Sequence, residues 1–206
     1  MKEYPSIPPG IGTAFRAIPG AYIFDKLDGN NLRFEWSCKR GWYKQGSRRR
    51  LFDETDPILG PAIGVFKNTL AGPLHNLANK QRWLSVIVYC EYWSKNSLAG
   101  LHIPGEPKEL TIFDAEINGK ELLPPKDFIK IFKKMPTAKF LGQHNFTRGF
   151  VQDVYDGSLE GITFEGIVAK GLNGKKFVRA KAKTRLWLEA IKTNYSPEEA
   201  AMIVNS

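Results

Sequence analysis

Apolar positions along the chain fall into short strand-like runs and alternations and, in a few stretches, a period near 3.6. Tyr22-Ile23-Phe24 reads as a short strand running into Asp25-Lys26. Leu32, Phe34 and Trp36 alternate with Arg33 and Glu35, the pattern of a half-buried strand with its charges in water. Asp28-Gly29-Asn30-Asn31 between them reads as a turn. Trp83 to Trp93 and Leu110 to Ile117 are β-branched and aromatic runs that suit central strands. Gly166 to Lys170 and Lys176 to Ala182 bracket Gly171-Leu172-Asn173-Gly174 as a hairpin would.

The helical rhythm is clearest over Asp127 to Met135, where Phe128, Ile131, Phe132 and Met135 share a face and Lys130, Lys133 and Lys134 lie away from it. Pro61 to Lys80 also reads as helix, ended and restarted at Gly72-Pro73. Ser196-Pro197-Glu198-Glu199 has an N-cap serine, a proline at the first position and a glutamate placed for a capping box, so a terminal helix follows. Residues 1 to 20 hold four prolines and three glycines and predict an irregular lead-in, with order beginning near Ala21. Strands scattered among helices without a βαβ rhythm give an α+β class with mainly antiparallel sheet. No repeat or composition shift divides the 206 residues, so residues 1–206 read as one domain.

Charge narrows the partners. Thirty Lys plus Arg against 21 Asp plus Glu leave +9, which favours an anionic partner. Six basic and no acidic residues lie between Lys39 and Arg50, interleaved with Trp42 and Tyr43, as in a strand edge tracking phosphates; a solvated face is the plain alternative. No apolar run approaches the roughly 20 residues that cross a bilayer, so no membrane partner is expected. The N-terminus has no apolar export stretch, and the expected location is cytoplasmic. Cys38 and Cys90 read as two reduced thiols.

Neither a P-loop nor a strand-linked dinucleotide fingerprint is present, so phosphate must be handled by something else. Lys26-Leu27-Asp28-Gly29 places a lysine at a strand end beside a carboxylate and a glycine that permits a tight turn. Further on, Lys181 and Lys183 fall on one side of a strand, two charges aimed at one place. From Gly166 to Arg185 there are seven Lys or Arg and no carboxylate, leaving Glu165 as the lone acid beside a positive strip and a candidate ligand for Mg2+ between phosphates.

Together these segments resemble the covalent nucleotidyltransferase superfamily of ATP-dependent DNA ligases, RNA ligases and mRNA capping enzymes, over about Tyr22 to Lys183. The resemblance implies a ligase-type nucleotidyltransferase fold, antiparallel sheets flanked by helices with the nucleotide between them. Lys26 of Lys26-Leu27-Asp28-Gly29 matches the lysine that carries the nucleotide. Arg48 or Arg49 falls where the family has a phosphate-contacting arginine, Glu91 matches the acid at the ribose, and Phe113 matches the aromatic stacked on the base. Glu165 to Lys170 is similar to the metal-binding motif, with Lys170 at the nucleotide, and Lys181-Ala182-Lys183 to the paired lysines at the α-phosphate. Asn31 is similar to phage-type RNA ligases and would meet the 5'-phosphate end; Asp25 would lie near the adenine amino group. The implied activity is RNA sealing with ATP and Mg2+, through AMP on Lys26, with RNA the expected partner rather than DNA. Only 23 residues follow Lys183, too few for an OB-fold or a full C-terminal domain. A small DNA ligase, a guanylyltransferase and a non-catalytic nucleic-acid-binding module of the same fold are the alternatives. Compactness and charge resemble phage-encoded repair ligases, whose cytoplasm would be the host's.

Overall fold

The computed structural model describes residues 4–10, 17–95, 97–103, 105–173 and 176–205. In chain order the elements are β1 (Ile18–Lys26), β2 (Gly29–Ser37), β3 (Gly41–Ser47), α1 (Pro61–Phe66), a π turn (Lys67–Ala71), α2 (Gly72–Lys80), β4 (Ser85–Trp93), β5 (Glu109–Ile117), α3 (Pro125–Phe132), β6 (Phe140–Phe146), α4 (Arg148–Asp156), β7 (Gly166–Asn173), β8 (Lys176–Lys183), α5 (Arg185–Asn194) and α6 (Pro197–Asn205). The class is α+β, with two four-stranded antiparallel sheets and flanking helices. The chain forms two compact units. One holds Gly29–Ser94 and Pro107–Thr137 with Tyr4; the other holds Pro5–Asp28, Lys95–Glu106 and Ala138–Ser206.

The first unit carries the sheet β3-β2-β4-β5. Leu32, Phe34 and Trp36 share a face with Cys90, Val88 and Val86 of β4, and all six are buried. Phe34 stacks on Phe66 of α1 at 3.8 Å between centroids. The opposite face is the first departure from the alternating pattern. Arg33 and Glu35, expected in water, are buried with Tyr89 and Glu116. Most of their polar atoms find partners there: Arg33 Nε donates to Glu35 Oε1 at 3.1 Å and Arg33 Nη1 to the Ser47 carbonyl at 2.6 Å, while Arg33 Nη2 has no hydrogen-bond partner among the described residues. The second strand run, Leu110 to Ile117, forms an edge strand rather than a central one, and the Ile112 N–H on that edge donates to Pro136 O. The helix over 61–80 is not broken at Gly72-Pro73. Phe66, Lys67, Ala71 and Gly72 keep right-handed helical dihedrals, and the π turn ahead of Pro73 accommodates a residue that has no N–H to give the ladder.

The second unit carries the sheet β6-β1-β7-β8. On one face Ile23, Ala169, Ala180, Ile167 and Ala182 pack with Val151 and Val154 of α4. The other face presents cross-strand rows: Lys26, Gly166 and Lys183; then Phe24, Val168 and Lys181; then Tyr22, Lys170 and Arg179. The lead-in is less irregular than its prolines predict. Ile7 is buried, Lys181 N–H donates to Pro8 O at 3.1 Å and Gly10 N–H to Lys181 O at 2.7 Å, and β1 begins at Ile18. The hairpin stays paired to Asn173 and Lys176, beyond the expected tip; Gly174 lies outside the described residues. Ser196 and Glu199 form the expected capping box, Ser196 N–H on Glu199 Oε2 at 3.1 Å and Glu199 N–H on Ser196 Oγ at 3.4 Å. Cys38 is exposed and Cys90 buried, and neither is in a disulfide. Among the described residues no helix is long and apolar enough to cross a membrane.

Candidate active site

The lysine at the end of β1 is tied to a carboxylate 139 residues later in the chain. Lys26 Nζ lies 2.8 Å from Glu165 Oε2, and Lys183 Nζ lies 3.0 Å from Glu165 Oε1, so one carboxylate bridges two ammonium groups. The register explains the meeting. Lys26 on β1, Gly166 on β7 and Lys183 on β8 are direct cross-strand partners, and Glu165 is the residue before Gly166. Only glycine fits between the two lysines: Gly166 has φ of +147°, and a Cβ there would run into the Ala182 carbonyl and sit 2.8 Å from Lys183 Cα.

Burial sorts the three charges. Glu165 and Lys183 expose 4% and 8% of their side chains and Lys26 22%, so Lys26 is the member that meets solvent or a ligand. Burial pushes the Glu165 carboxyl up, but Lys26 and Lys183 outweigh it and hold the group below the usual carboxylate range. Burial pushes the Lys183 ammonium down, with Glu165 opposing. The cluster keeps one net positive charge, which suits an anionic ligand.

Lys181 is buried on the same face as Lys183, two residues back on β8. Lys170 is buried in the third row, its Nζ 4.8 Å from the Phe24 ring centroid. Asp28 is buried and accepts the Ala99 N–H at 2.9 Å; burial raises its carboxyl. Asp25 points to the opposite face of the sheet from Lys26, where it accepts the backbone N–H and the hydroxyl of Thr163, and burial raises it too. Thr163 was not anticipated, because nothing in its local sequence marks it as the partner of a residue 138 positions earlier.

The remaining candidates belong to the first unit. Asn31, Glu91 and Thr111 are cross-strand partners on β2, β4 and β5, so their side chains share a face. Gly29 begins β2 rather than forming a turn. Its glycine is required by close approach, since a Cβ there would meet the Tyr92 carbonyl and sit 2.7 Å from Trp93 Cβ. Phe113 is half-buried with the Tyr4 ring edge-on at 5.0 Å. The Ser47 hydroxyl accepts the N–H groups of Arg49 and Arg50, each at 3.3 Å, and so fixes the turn after β3. Arg48 is half-buried, and its Nε finds no hydrogen-bond partner among the described residues, whereas Arg49 is exposed.

The polar face of this sheet gathers Lys26, Lys183 and Lys181, with one carboxylate between two of the lysines. The fold is the nucleotidyltransferase fold of ATP-dependent RNA ligases. The chain is similar to an archaeal ATP-dependent RNA ligase, at 12% identity and a TM-score of 0.64, over 100% of this chain and 56% of that one. It is similar to a Naegleria gruberi RNA ligase with pyrophosphate, at 14% identity and 0.65, over 94% and 59%. A variant of that ligase holding ATP and Mn matches at 16% identity and 0.60, over 82% and 51%. The chain thus spans between half and three fifths of these structures. By sequence, no family model and no curated protein matches.

Proposed function

We propose that the protein is an ATP-dependent RNA ligase in which Lys26 attacks the α-phosphorus of ATP and carries AMP as a lysyl adenylate. The observation that carries this reading is the Lys26–Glu165–Lys183 cluster, set on a sheet of this fold with its least buried member at a strand end. In the first step the Lys26 ammonium gives up one proton to solvent, the neutral Nζ forms a bond to phosphorus, the bond to the β-phosphate breaks, and pyrophosphate leaves. Lys183 and Lys181 offset the charge that builds on the phosphate oxygens. Glu165 holds Nζ by a hydrogen bond, and Asp28 stands two residues beyond it. AMP then passes to a 5'-phosphate, and a 3'-hydroxyl attacks that end to seal the strand and release AMP.

Glu165 also suits a divalent metal as a single protein ligand. Among the described residues no three acidic, His or Cys side chains converge, and one carboxylate completed by phosphate oxygens and water is an ordinary Mg2+ set. Bound there, Mg2+ would neutralise phosphate charge. Glu91 is assigned to the ribose, Phe113 to the base, Asn31 to the 5'-phosphate end, and Lys170 and Gly29 to the nucleotide surroundings. Of the two arginines, Arg48 is favoured for phosphate, because it is half-buried with its Nε left without a hydrogen-bond partner among the described residues, while Arg49 is exposed. Asp25 is assigned to the choice of adenine, acting through the segment its carboxylate anchors at Thr163. We assign residues 1–206 to one adenylation domain.

The test is incubation with α-labelled ATP and, separately, GTP in Mg2+, then a denaturing gel. A label from ATP that disappears in Lys26→Ala supports the reading; a label from GTP would turn it into a guanylyltransferase, and no label from either into a nucleic-acid-binding module. Sealing of nicked RNA against nicked DNA then separates RNA ligase from DNA ligase.

A further inference from the structure

Lys183 is the last residue of β8, and the chain turns at once into α5. Thr184 makes that turn a clamp. Its N–H donates to Glu165 O at 3.0 Å, its hydroxyl donates to Phe164 O at 2.7 Å, and the same oxygen caps α5 by accepting the Trp187 N–H at 3.3 Å. The backbone that carries Glu165 is thereby fastened to the first turn of α5. Trp187, fully buried in that turn, lays its ring face against the Lys183 ammonium, with Nζ 3.9 Å from the ring centroid. Lys183 is therefore gripped on two sides, by Glu165 Oε1 at 3.0 Å and by the indole face.

The far end of α5 reaches the other side of the same cluster. Tyr195 donates its hydroxyl to Leu98 O at 2.7 Å, and Asn194 Nδ2 donates to Ala99 O. These bonds hold the segment whose Ala99 N–H donates to Asp28, two residues from Lys26. One ten-residue helix thus touches both lysines' surroundings, through Trp187 at its start and through the 98–99 segment at its end.

We infer that α5 is a bracket built into the site and that Trp187 is a positioning residue, aiming the Lys183 ammonium by the face of its indole. The inference rests on the adenylation reading for its kinetic consequence but not for its geometry. Without the ring the ammonium keeps only Glu165 and still adds to the positive field that draws ATP, but its aim at the charge that develops on the phosphate is lost. Loss of the ring therefore falls on turnover rather than on substrate binding.

The experiment measures single-turnover formation of the AMP adduct against ATP concentration for wild type, W187L, W187F, K183M and K183M/W187L. W187L is expected to slow adduct formation at saturating ATP by about 10- to 100-fold, with KM changed less than about 3-fold, as misplacement of a catalytic group does. W187F, which keeps a ring face, stays within about 3-fold of wild type. Adding W187L to K183M costs nothing more, because the residue works through the lysine already removed. A full additional loss in the K183M background, or a W187F as slow as W187L, overturns the inference. Should W187L fail to fold, W187F and the proton spectrum of Lys183 decide. The side-chain protons of Lys183 resonate upfield in the ring current of Trp187, and ordinary shifts in wild type overturn the inference. That spectrum also separates the two readings: a wild type that takes no label from ATP removes the ligase assignment, while the Lys183 shifts still judge the bracket.

Discussion

Each unit buries a cluster of charges on the polar face of its sheet, and the two clusters differ in how they are closed. In the first unit Arg33, 98% buried, is locked by Glu35 and the Ser47 carbonyl, and Lys44 and Tyr43 add contacts to Glu35 at 3.4 Å each. In the second unit Glu165 serves two lysines, and one of these, Lys26, keeps 22% of its side chain exposed. The first arrangement spends its hydrogen bonds inside the protein and fixes the turn that carries Arg48 to Arg50. The second joins two ammonium groups through one carboxylate, each closer to it than Lys44 is to Glu35. Both clusters hold buried charge by shared hydrogen bonds, and they differ in span: Glu35 is served by neighbours on β2 and β3, whereas Glu165 is served by strands far apart in the chain.

The sharpest way to test that contrast is Lys26→Ala. It should abolish the covalent AMP label on a denaturing gel while moving the unfolding midpoint little, because Glu165 keeps Lys183. Arg33→Met should do the reverse in kind, costing about 3–5 kcal/mol in urea unfolding, because Glu35 is left buried without its main partner. Arg33→Met/Glu35→Leu should recover most of that loss, since a buried pair replaced by apolar groups is often neutral. A double variant no more stable than the single one would show that the pair does more than satisfy itself.

Glu165→Gln keeps an acceptor but not the charge, and should cost about 2 kcal/mol, the scale of a hydrogen bond to a charged group. It also has a pH signature. The Glu165 carboxyl is depressed in the folded protein, so its contribution is fully present above the ordinary value of 4.5 and is lost as pH falls through the lower folded value. The acid limb of stability against pH should therefore be shallower in Glu165→Gln than in wild type; parallel limbs would mean that the pairing with Lys26 and Lys183 adds nothing. The smallest effect belongs to Lys44→Ala. Its contact to Glu35 is longer and a third exposed, so about 0.5 kcal/mol, diminished by salt, is expected in the same unfolding measurement.

Alternation was enough to find β2 and to put Lys181 and Lys183 on one side of β8, and contiguous apolar, β-branched and aromatic runs marked β1 and β4. Neither could say which strands share a sheet. Gly29 therefore reads as a turn residue in the sequence, although β1 and β2 belong to different sheets and the glycine answers the close approach of Tyr92 and Trp93. Arg33 and Glu35 read as solvent-facing because alternation cannot register the Ser47 carbonyl that meets Arg33 from 14 residues away. Trp187 is fully buried, and its ring face against Lys183 depends on how the Thr184 cap aims the first turn of α5, which no short stretch of sequence displays.

What the sequence determined by itself was local: strand alternation, the capping box at Ser196 and Glu199, a lysine at a strand end, and a lone acid beside a basic strip. These depend on neighbours a few residues apart, whose chemistry is written in order along the chain. The tertiary structure alone decided that Lys26 and Glu165 meet across 139 residues, that Lys183 shares that carboxylate, and that α5 reaches both sides of the cluster. Such meetings are set by strand register and sheet order, and those follow from the packing of whole elements rather than from any short stretch of residues.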